Sequence, residues 1–138
     1  MKNTLLALCA AVALIVSLAG CSSPIPVGLG IELASLDPAG GKATIRYLNP
    51  SVVAYNVERS SHRVYLDGKL AGTVEIKAPI GIPQQRNLEQ GGTFVAEKGA
   101  SLPTGSASYR VESTLTLVLY GENLQTSKLS GSGTVVVK

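Results

Sequence analysis

The sequence predicts an all-β protein, and three observations carry this prediction. Apolar and polar residues alternate with a period of two through most of the chain, and no window shows the 3.6-residue period of an amphipathic helix. Fifteen glycines and seven prolines supply turns between short segments. Because short strands at regular spacing are typical of such a fold, we predict a single antiparallel β-sandwich of about seven strands over residues 29–138.

Residues 1–20 are predicted to be a cleaved leader and not part of this fold. Lys2 gives a positive start, an apolar run follows over residues 5–16, and small residues come next at Ala19 and Gly20. This order of charge, apolar run and small residues is typical of a secretory signal peptide. The apolar run is also shorter than the ~20 residues that a transmembrane helix needs.

The leader ends in Leu18-Ala19-Gly20-Cys21, which resembles the bacterial lipobox. That resemblance implies a diacylglyceryl group on the sulfur of Cys21, cleavage before this residue and acylation of the new amino terminus. Since two or more acyl chains anchor a protein stably, the domain would be tethered to a membrane surface. Ser22 stands where an aspartate would resemble an inner-membrane retention signal, which favours the periplasmic face of an outer membrane in a host with two membranes. The alternative is an ordinary thiol after a conventional signal peptide.

Cleavage would change both the charge and the cysteine content of the chain. Loss of Lys2 lowers the formal net charge of +3 by one, and loss of Cys9 leaves Cys21 as the only cysteine. The mature chain therefore has no disulfide, and its core alone must stabilise the fold. A nearly neutral chain without a basic run argues against a nucleic-acid partner.

After a Pro-rich tether over residues 21–28, predicted to be a spacer, the first strands show a clear apolar face. One strand over residues 29–36 has Ile31 and Leu33 on one face, and the next, over residues 41–48, has three such residues. The third, over residues 51–60, does the same. The apolar residues of the second and third strands are Ala43, Ile45 and Tyr47, then Val53, Tyr55 and Val57.

The second half of the chain continues the pattern with a hairpin and three further strands. Asp67-Gly68 lies between two strand-like arms, which predicts a two-residue turn with positive φ at both positions. Gly131-Ser132-Gly133 predicts a flexible bend before the last strand. The remaining strands are predicted over residues 91–98, 106–121 and 124–138.

The order of these landmarks carries a family resemblance. A strand ends in Asn49-Pro50, small and aliphatic residues follow over 52–57, a strand pair surrounds Asp67-Gly68, and an Ile-Pro stands at 82–83. With these features residues 31–98 resemble the late-embryogenesis-abundant (LEA) type 2 family, which includes the WHy domain. The resemblance implies an immunoglobulin-like or fibronectin-type-III-like sandwich and a protective role in water stress. Residues 84–87 depart from the family by being more polar.

The residues of these landmarks have structural roles in turns. Asn49 can cap a turn through its side chain, and Pro50 ends a strand because its φ is fixed near −65°. Asp67 and Gly68 suit the positive φ values of a tight hairpin. The alternative for Asn49-Pro50 is a recognition site.

The sequence has few residues of the types that act in catalysis. His62 stands beside Ser60 and Ser61, and with Asp37 or Asp67 these are the residue types of a serine hydrolase. No Gly-x-Ser-x-Gly motif is present. We therefore predict that His62 faces solvent at a strand start and that the protein is not an enzyme. With scattered carboxylates and one histidine, we also expect no metal and no cofactor.

Together these features predict a lipid-anchored, non-catalytic protein of the cell envelope with a stress-protective role. Its expected partners are the membrane, through Cys21, and partly unfolded or envelope proteins. The alternative is a structural or adaptor module that holds a protein partner at the membrane surface. A small hydrolase or ligand carrier is a third hypothesis, which depends on His62.

Overall fold

The computed structural model describes residues 24–119 and 122–138, and the predicted leader and Cys21 lie outside them. The all-β prediction is confirmed, since eight strands account for most of these residues. None of the described residues forms a helix long and apolar enough to cross a membrane. The strands are β1 (Gly30–Asp37), β2 (Lys42–Asn49), β3 (Tyr55–Leu66), β4 (Lys69–Ile76), β5 (Ile80–Ile82), β6 (Arg86–Ala96), β7 (Gly105–Leu119) and β8 (Asn123–Val137).

Seven of these strands form a closed barrel instead of the predicted two-layer sandwich. Hydrogen-bonded neighbours run in the order β4-β6-β2-β1-β8-β7-β3, and β3 pairs with β4 to complete the ring. The short β5 pairs with β3 beside β4. All pairs are antiparallel except β1 with β8, which is parallel. Alternation in the sequence shows which face of each strand is buried, but it does not show whether neighbouring strands belong to one sheet or to two.

The barrel interior is filled by the apolar face of each strand. Ile31, Leu33, Ala43, Ile45 and Tyr47 are all buried, as the alternation predicted, and Tyr47 is fully enclosed. In the third predicted strand Val53 differs, because β3 begins only at Tyr55 and Val53 lies in the preceding loop with half of its surface exposed.

The polar stretch before β6 belongs to the end of a turn and the start of a longer strand than predicted. Gln85 has a φ of 55°, and β6 begins at the next residue, where Arg86 pairs with Asn49 of β2. Arg46 of β2 reaches both neighbouring strands, with hydrogen bonds to Glu89 at 2.6 and 2.9 Å and to Glu32 at 3.1 Å. The polar residues of β6 thus form part of the hydrated outer face.

The predicted bend at Gly131 and Gly133 is wrong, because both residues lie within the continuous strand β8. A Cβ on Gly131 would lie 2.0 Å from the carbonyl oxygen of Ile31 on β1, and one on Gly133 would lie 3.1 Å from the ring of Tyr109. These glycines allow close approach of neighbouring groups and are not hinges.

The barrel has two distinct ends. At the N-terminal end, Gly30 of β1 pairs with Leu48, and Asn123 of β8 pairs with Leu119. The segment 24–28 and the loop 50–54 belong to this end. The C-terminal end carries the turns at residues 38–41 and 67–68, the loop 97–104 and Lys138.

Candidate functional site

A chain of hydrogen bonds crosses the barrel interior through Tyr47, Ser60, His62 and Ser113. The Tyr47 hydroxyl lies 2.9 Å from Ser60 Oγ, which lies 2.8 Å from His62 Nε2. His62 Nδ1 lies 2.7 Å from Ser113 Oγ, on the residue opposite His62 in β7. None of the four residues is more than 3% exposed. Each of these four polar side chains therefore has a hydrogen-bond partner although it is buried.

The prediction that His62 faces solvent is wrong, and the reason is a β-bulge. The register of β3 against β7 shifts between Val57 and Arg59. Before the shift the odd-numbered Val57 points inward, and after it the even-numbered residues Ser60, His62 and Val64 do so. A bulge places two residues opposite one, and so it exchanges the inner and outer faces. If inward and outward residues alternated from Val57 without the bulge, His62 would point outward.

Burial sets the protonation states of His62 and Tyr47. Desolvation lowers the pKa of His62 from 6.5 to about 4, so the imidazole is neutral at pH 7. A neutral ring donates one hydrogen bond and accepts one, which fits a serine hydroxyl at each nitrogen. Burial also raises the pKa of Tyr47, and its hydrogen bond with Ser60 opposes that shift. The interior chain is therefore uncharged at neutral pH.

The arrangement does not assemble a serine hydrolase site. Ser60 and His62 are sealed inside the barrel, where no substrate carbonyl reaches them. The two predicted acids lie at the C-terminal end, where the Oδ1 of Asp37 accepts from Gly40 N at 2.9 Å and that of Asp67 accepts from Ser108 N at 3.1 Å. Each carboxylate thus holds a turn. His62 instead has Ser60 and Ser113 as its partners.

Asn49 connects two loops at the N-terminal end. Its buried Nδ2 donates to the carbonyl oxygens of Val53 and Pro83, at 2.8 and 2.9 Å. Its Oδ1 accepts from the backbone N–H and the hydroxyl of Ser51, at 3.1 and 2.7 Å. This side chain is 1% exposed, and it connects the loop after Pro50 to the segment at Pro83. The geometry is that of a structural turn residue and not of a recognition site.

Replacement of Asn49 should be strongly destabilising. We expect Asn49→Ala to lower the free energy of unfolding by about 2–4 kcal/mol, because removal of this buried amide breaks its hydrogen bonds with the partly buried backbone groups of Ser51, Val53 and Pro83. Urea denaturation measures the loss. The exposed Asn87 of β6 supplies the control, since Asn87→Ala should change stability by less than about 0.5 kcal/mol. Equal effects of the two substitutions would contradict the role of Asn49.

The β3–β4 turn also has the geometry that its sequence requires. Asp67 and Gly68 have φ values of 48° and 81°, the positive pair of a tight hairpin turn. Asp67 also donates its N–H to the carbonyl of Ser108 at 2.9 Å and accepts the Ser108 hydroxyl at 2.9 Å. These bonds hold the hairpin against β7.

The described part of the predicted tether is packed against the barrel and is not a free spacer. Ile25 donates its N–H to the carbonyl of Thr126 at 2.9 Å, and Ser127 Oγ donates to the carbonyl of Ile25 at 2.7 Å. The N–H of Gly28 donates to the hydroxyl of Tyr55 at 3.1 Å. Ile25 and Val27 pack on the core. The alternation of Ile25 and Val27 with prolines is the signal in the sequence that points to this packing.

An open cleft of about 600 Å³ lies at the C-terminal end, between the β3–β4 hairpin and the loop 97–103. The charged residues of its lining are exposed, namely Asp67, Lys69, Glu97 and Lys98. Small-molecule sites instead place polar groups in an enclosed apolar cavity, so this cleft lacks their usual character. Within residues 24–119 and 122–138, no group of three His, Cys, Asp or Glu side chains is placed to hold a metal ion.

Comparisons with known proteins show a likeness of fold. No protein-family model and no curated protein matches the chain. It is similar to the solution structure of AT1g01470 from Arabidopsis thaliana, with a TM-score of 0.52, 16% identity, and coverage of 88% of this chain and 89% of that one. At this identity the match shows a shared fold and nothing about activity.

Two further solved structures are similar over most of the chain. A protein from Archaeoglobus fulgidus has a TM-score of 0.42 at 10% identity and is covered over 97% of its length by 81% of this chain. A candidate late embryogenesis abundant (LEA) protein, At2g46140.1, has a TM-score of 0.38 at 13% identity, with 98% of this chain covering 84% of it. Membership of the LEA type 2 family stays a prediction from the sequence.

Proposed function

We propose that this chain is a lipid-anchored, non-catalytic protein of the cell envelope that protects other proteins during water loss. One observation carries the non-catalytic part, namely that His62 lies sealed in the barrel with both ring nitrogens hydrogen-bonded to serines. A general base must come within hydrogen-bond distance of the proton that it removes. An imidazole in this position instead fixes the interior packing.

The position of the N-terminal segment supports the anchor. Pro24 is three residues from Cys21, and the next residue, Ile25, is hydrogen-bonded to β8. A lipid on Cys21 would therefore hold the barrel directly at a bilayer surface and not at the end of a long flexible linker. With Ser22 after the cysteine, we place the protein at the outer membrane, facing the periplasm, in a host with two membranes.

The protective role is supported by the resemblance of residues 31–98 to LEA type 2 proteins, together with a polar outer face. Arg46 bridges Glu32 and Glu89 across three strands. On the β3–β7 wall the guanidinium of Arg110 lies 3.9 Å from the centre of the Tyr65 ring and pairs with Glu112. Charged groups of both signs keep such a surface hydrated and separate neighbouring proteins as water is lost.

A second candidate, the adaptor that holds a protein partner, is favoured by one feature of the barrel wall. β6 pairs with β2 over Arg86–Thr93 but with β4 only over Thr93–Ala96. Within the part of the chain that the structure describes, residues 86–92 thus form a strand ladder on one side only, and on the other side Gln90 Nε2 donates to the carbonyl of Ala78 at 2.8 Å. An extended segment of a partner could add to this edge by backbone hydrogen bonds.

A desiccation assay tests the protective role. Residues 22–138 are mixed with a drying-sensitive enzyme, dried and rehydrated, and the recovered enzyme activity is measured. Serum albumin at equal mass is the control for generic crowding. We expect recovery well above the albumin level, because a folded polar-faced domain separates client molecules without unfolding itself.

Recovery equal to that with albumin would contradict the protective role and favour the adaptor. A photo-crosslinking residue at Asn87, on the free edge of β6, then identifies the partner in intact envelopes. Ser132 is the matched control, since it is exposed on β8 but pairs with Arg110 of β7. One partner captured at Asn87 and not at Ser132 would establish the adaptor.

A further inference from the structure

The two ends of the barrel differ in their exposed side chains, with more large apolar residues and fewer charged residues at the N-terminal end. Five large apolar residues are exposed among those that the structure describes. Val52, Val53 and Leu124 lie at the N-terminal end, and Val95 and Val136 lie at the C-terminal end. Val52 is 76% exposed, and the loop 50–54 contains no charged residue. The C-terminal end carries charged residues in or beside its turns and loop, namely Asp37, Lys42, Asp67, Lys69, Glu97 and Lys98.

The strand register places these apolar residues at one end of the molecule. Leu124 pairs with Val118 of β7, and Val118 pairs with Asn56 of β3. The three residues therefore form one row across adjacent strands and point to the same face. Val53 precedes Asn56 by three residues, so the exposed loop lies beyond this row. The exposed apolar groups therefore come from the start of β8 and from the loop before β3, and β7 lies between them at the same end.

The N-terminal segment leads to the same end. Ile25 lies beside Thr126, and Ile31 lies beside Gly131, so the segment runs parallel to β8. Followed backward, it leads toward the start of β8 at Asn123. Pro24 follows Cys21 by three positions, and a chain spans at most about 3.6 Å per residue. A lipid on Cys21 would therefore begin within about 11 Å of Pro24 along the chain.

We propose that the N-terminal end of the barrel rests on the bilayer, with Val52, Val53 and Leu124 in contact with the lipid interface. The proposal rests on the anchor at Cys21, since acyl chains that begin within about 11 Å of this end bring it to the membrane. Aliphatic side chains gain by leaving water at the interface, and an exposed apolar patch is typical of such contacts. Arg86 and Glu122, exposed at the same end, lie at the level of the polar headgroups.

This orientation directs the C-terminal end away from the membrane. Val136 follows Thr126 by ten positions in β8, which corresponds to about 30 Å along a strand. The open cleft and Lys138 would then face the aqueous compartment. The free edge of β6 would run from the headgroup level at Arg86 along the side of the barrel, where a soluble partner can reach its far part.

Fluorescence quenching tests the orientation with the full chain. Val52→Cys, Leu124→Cys and Val136→Cys are each made in the complete sequence, because Cys9 is lost with the leader and lipidation blocks Cys21, so that each new thiol is the only free one. The thiol is labelled with bimane, and the protein is placed in phosphatidylethanolamine–phosphatidylglycerol vesicles with and without acyl-brominated lipid. Val136 is the matched control, since it is an exposed valine of β8 at the opposite end, 60% exposed.

We expect brominated lipid to reduce the emission at positions 52 and 124 by about twofold and to leave position 136 unchanged, because quenching by bromine requires near-contact with the lipid. Equal emission changes at positions 52 and 136, or a larger change at 136, would overturn the proposed orientation. Mass spectrometry of the same preparations measures the acyl groups on Cys21. An acylated chain without quenching at 52 and 124 contradicts the orientation alone, whereas an unacylated chain that stays free of vesicles contradicts the anchor and the orientation together.

Discussion

Gly131→Ala is expected to lower the free energy of unfolding by about 3 kcal/mol, although it adds a single methyl group. The new Cβ would lie 2.0 Å from the carbonyl oxygen of Ile31, a backbone atom on the neighbouring strand. A flexible side chain could rotate away from such a contact, but a strand backbone can only move as a whole. The substitution therefore forces β1 away from β8.

This junction is where the ring of strands closes. β1 joins β8 in the only parallel pair of the barrel that the described residues contain, recorded at Leu36 and Val137. A hydrogen bond of 3.0 Å from Lys138 N to the carbonyl of Leu36 adds to it. With few bonds at the junction, separation at Gly131 also exposes the apolar residues of both strands, which include Ile31 and Val135. The loss of stability therefore exceeds the local clash.

Gly91→Ala is the matched control for this prediction. Gly91 also lies within a strand, and a Cβ there would have no atom within 4 Å. Both substitutions restrict the unfolded chain equally, so the difference between them reports the folded state alone. Urea denaturation should show Gly91→Ala at or slightly above the stability of the unchanged protein. If the two variants had the same midpoint, close approach of β1 and β8 would not be needed for closure.

The sequence predicts much of this fold because strands bury alternate residues. Ile31, Leu33, Ala43, Ile45 and Tyr47 are assigned to the interior by periodicity alone, and the structure places them there. The hairpin at Asp67-Gly68 is equally predictable, since few residue pairs accept positive φ at both positions. These features depend on interactions between near neighbours in the chain, and that is why the sequence reports them.

Features set by distant strands are not predictable in this way. Closure of the barrel depends on β1 meeting β8, and their paired residues Leu36 and Val137 are far apart in the chain. Gly131 shows the same limit, because a glycine that admits a neighbouring backbone cannot be distinguished locally from a glycine that bends a chain. The bulge after Val57 also has no recognisable pattern in the sequence, and it is the reason that His62 points inward.

His62 gives the protein a stability that depends on pH. The folded pKa of about 4 lies below the ordinary value of 6.5 that the unfolded chain has, because burial disfavours the charged ring. As the pH falls below 6.5 the unfolded state takes up a proton that the folded state does not. This contribution to stability is therefore fully present above about pH 6.5 and is lost as the pH falls toward 4. Since a shift of one pKa unit corresponds to about 1.4 kcal/mol, the shift from 6.5 to about 4 corresponds to a loss of about 3 kcal/mol in the free energy of unfolding.

Two measurements check this prediction. Because the chain has one histidine, a single imidazole resonance should stay unshifted in the folded protein down to about pH 5, against the ordinary midpoint near 6.5. Urea denaturation at pH 7 and at pH 4.5 should show a smaller change for His62→Gln than for the unchanged protein. Glutamine can still form hydrogen bonds with Ser60 and Ser113 but does not titrate, and all other ionisable groups are common to both proteins. A midpoint near 6.5 would mean that water reaches His62, and it would remove the observation on which the non-catalytic proposal depends.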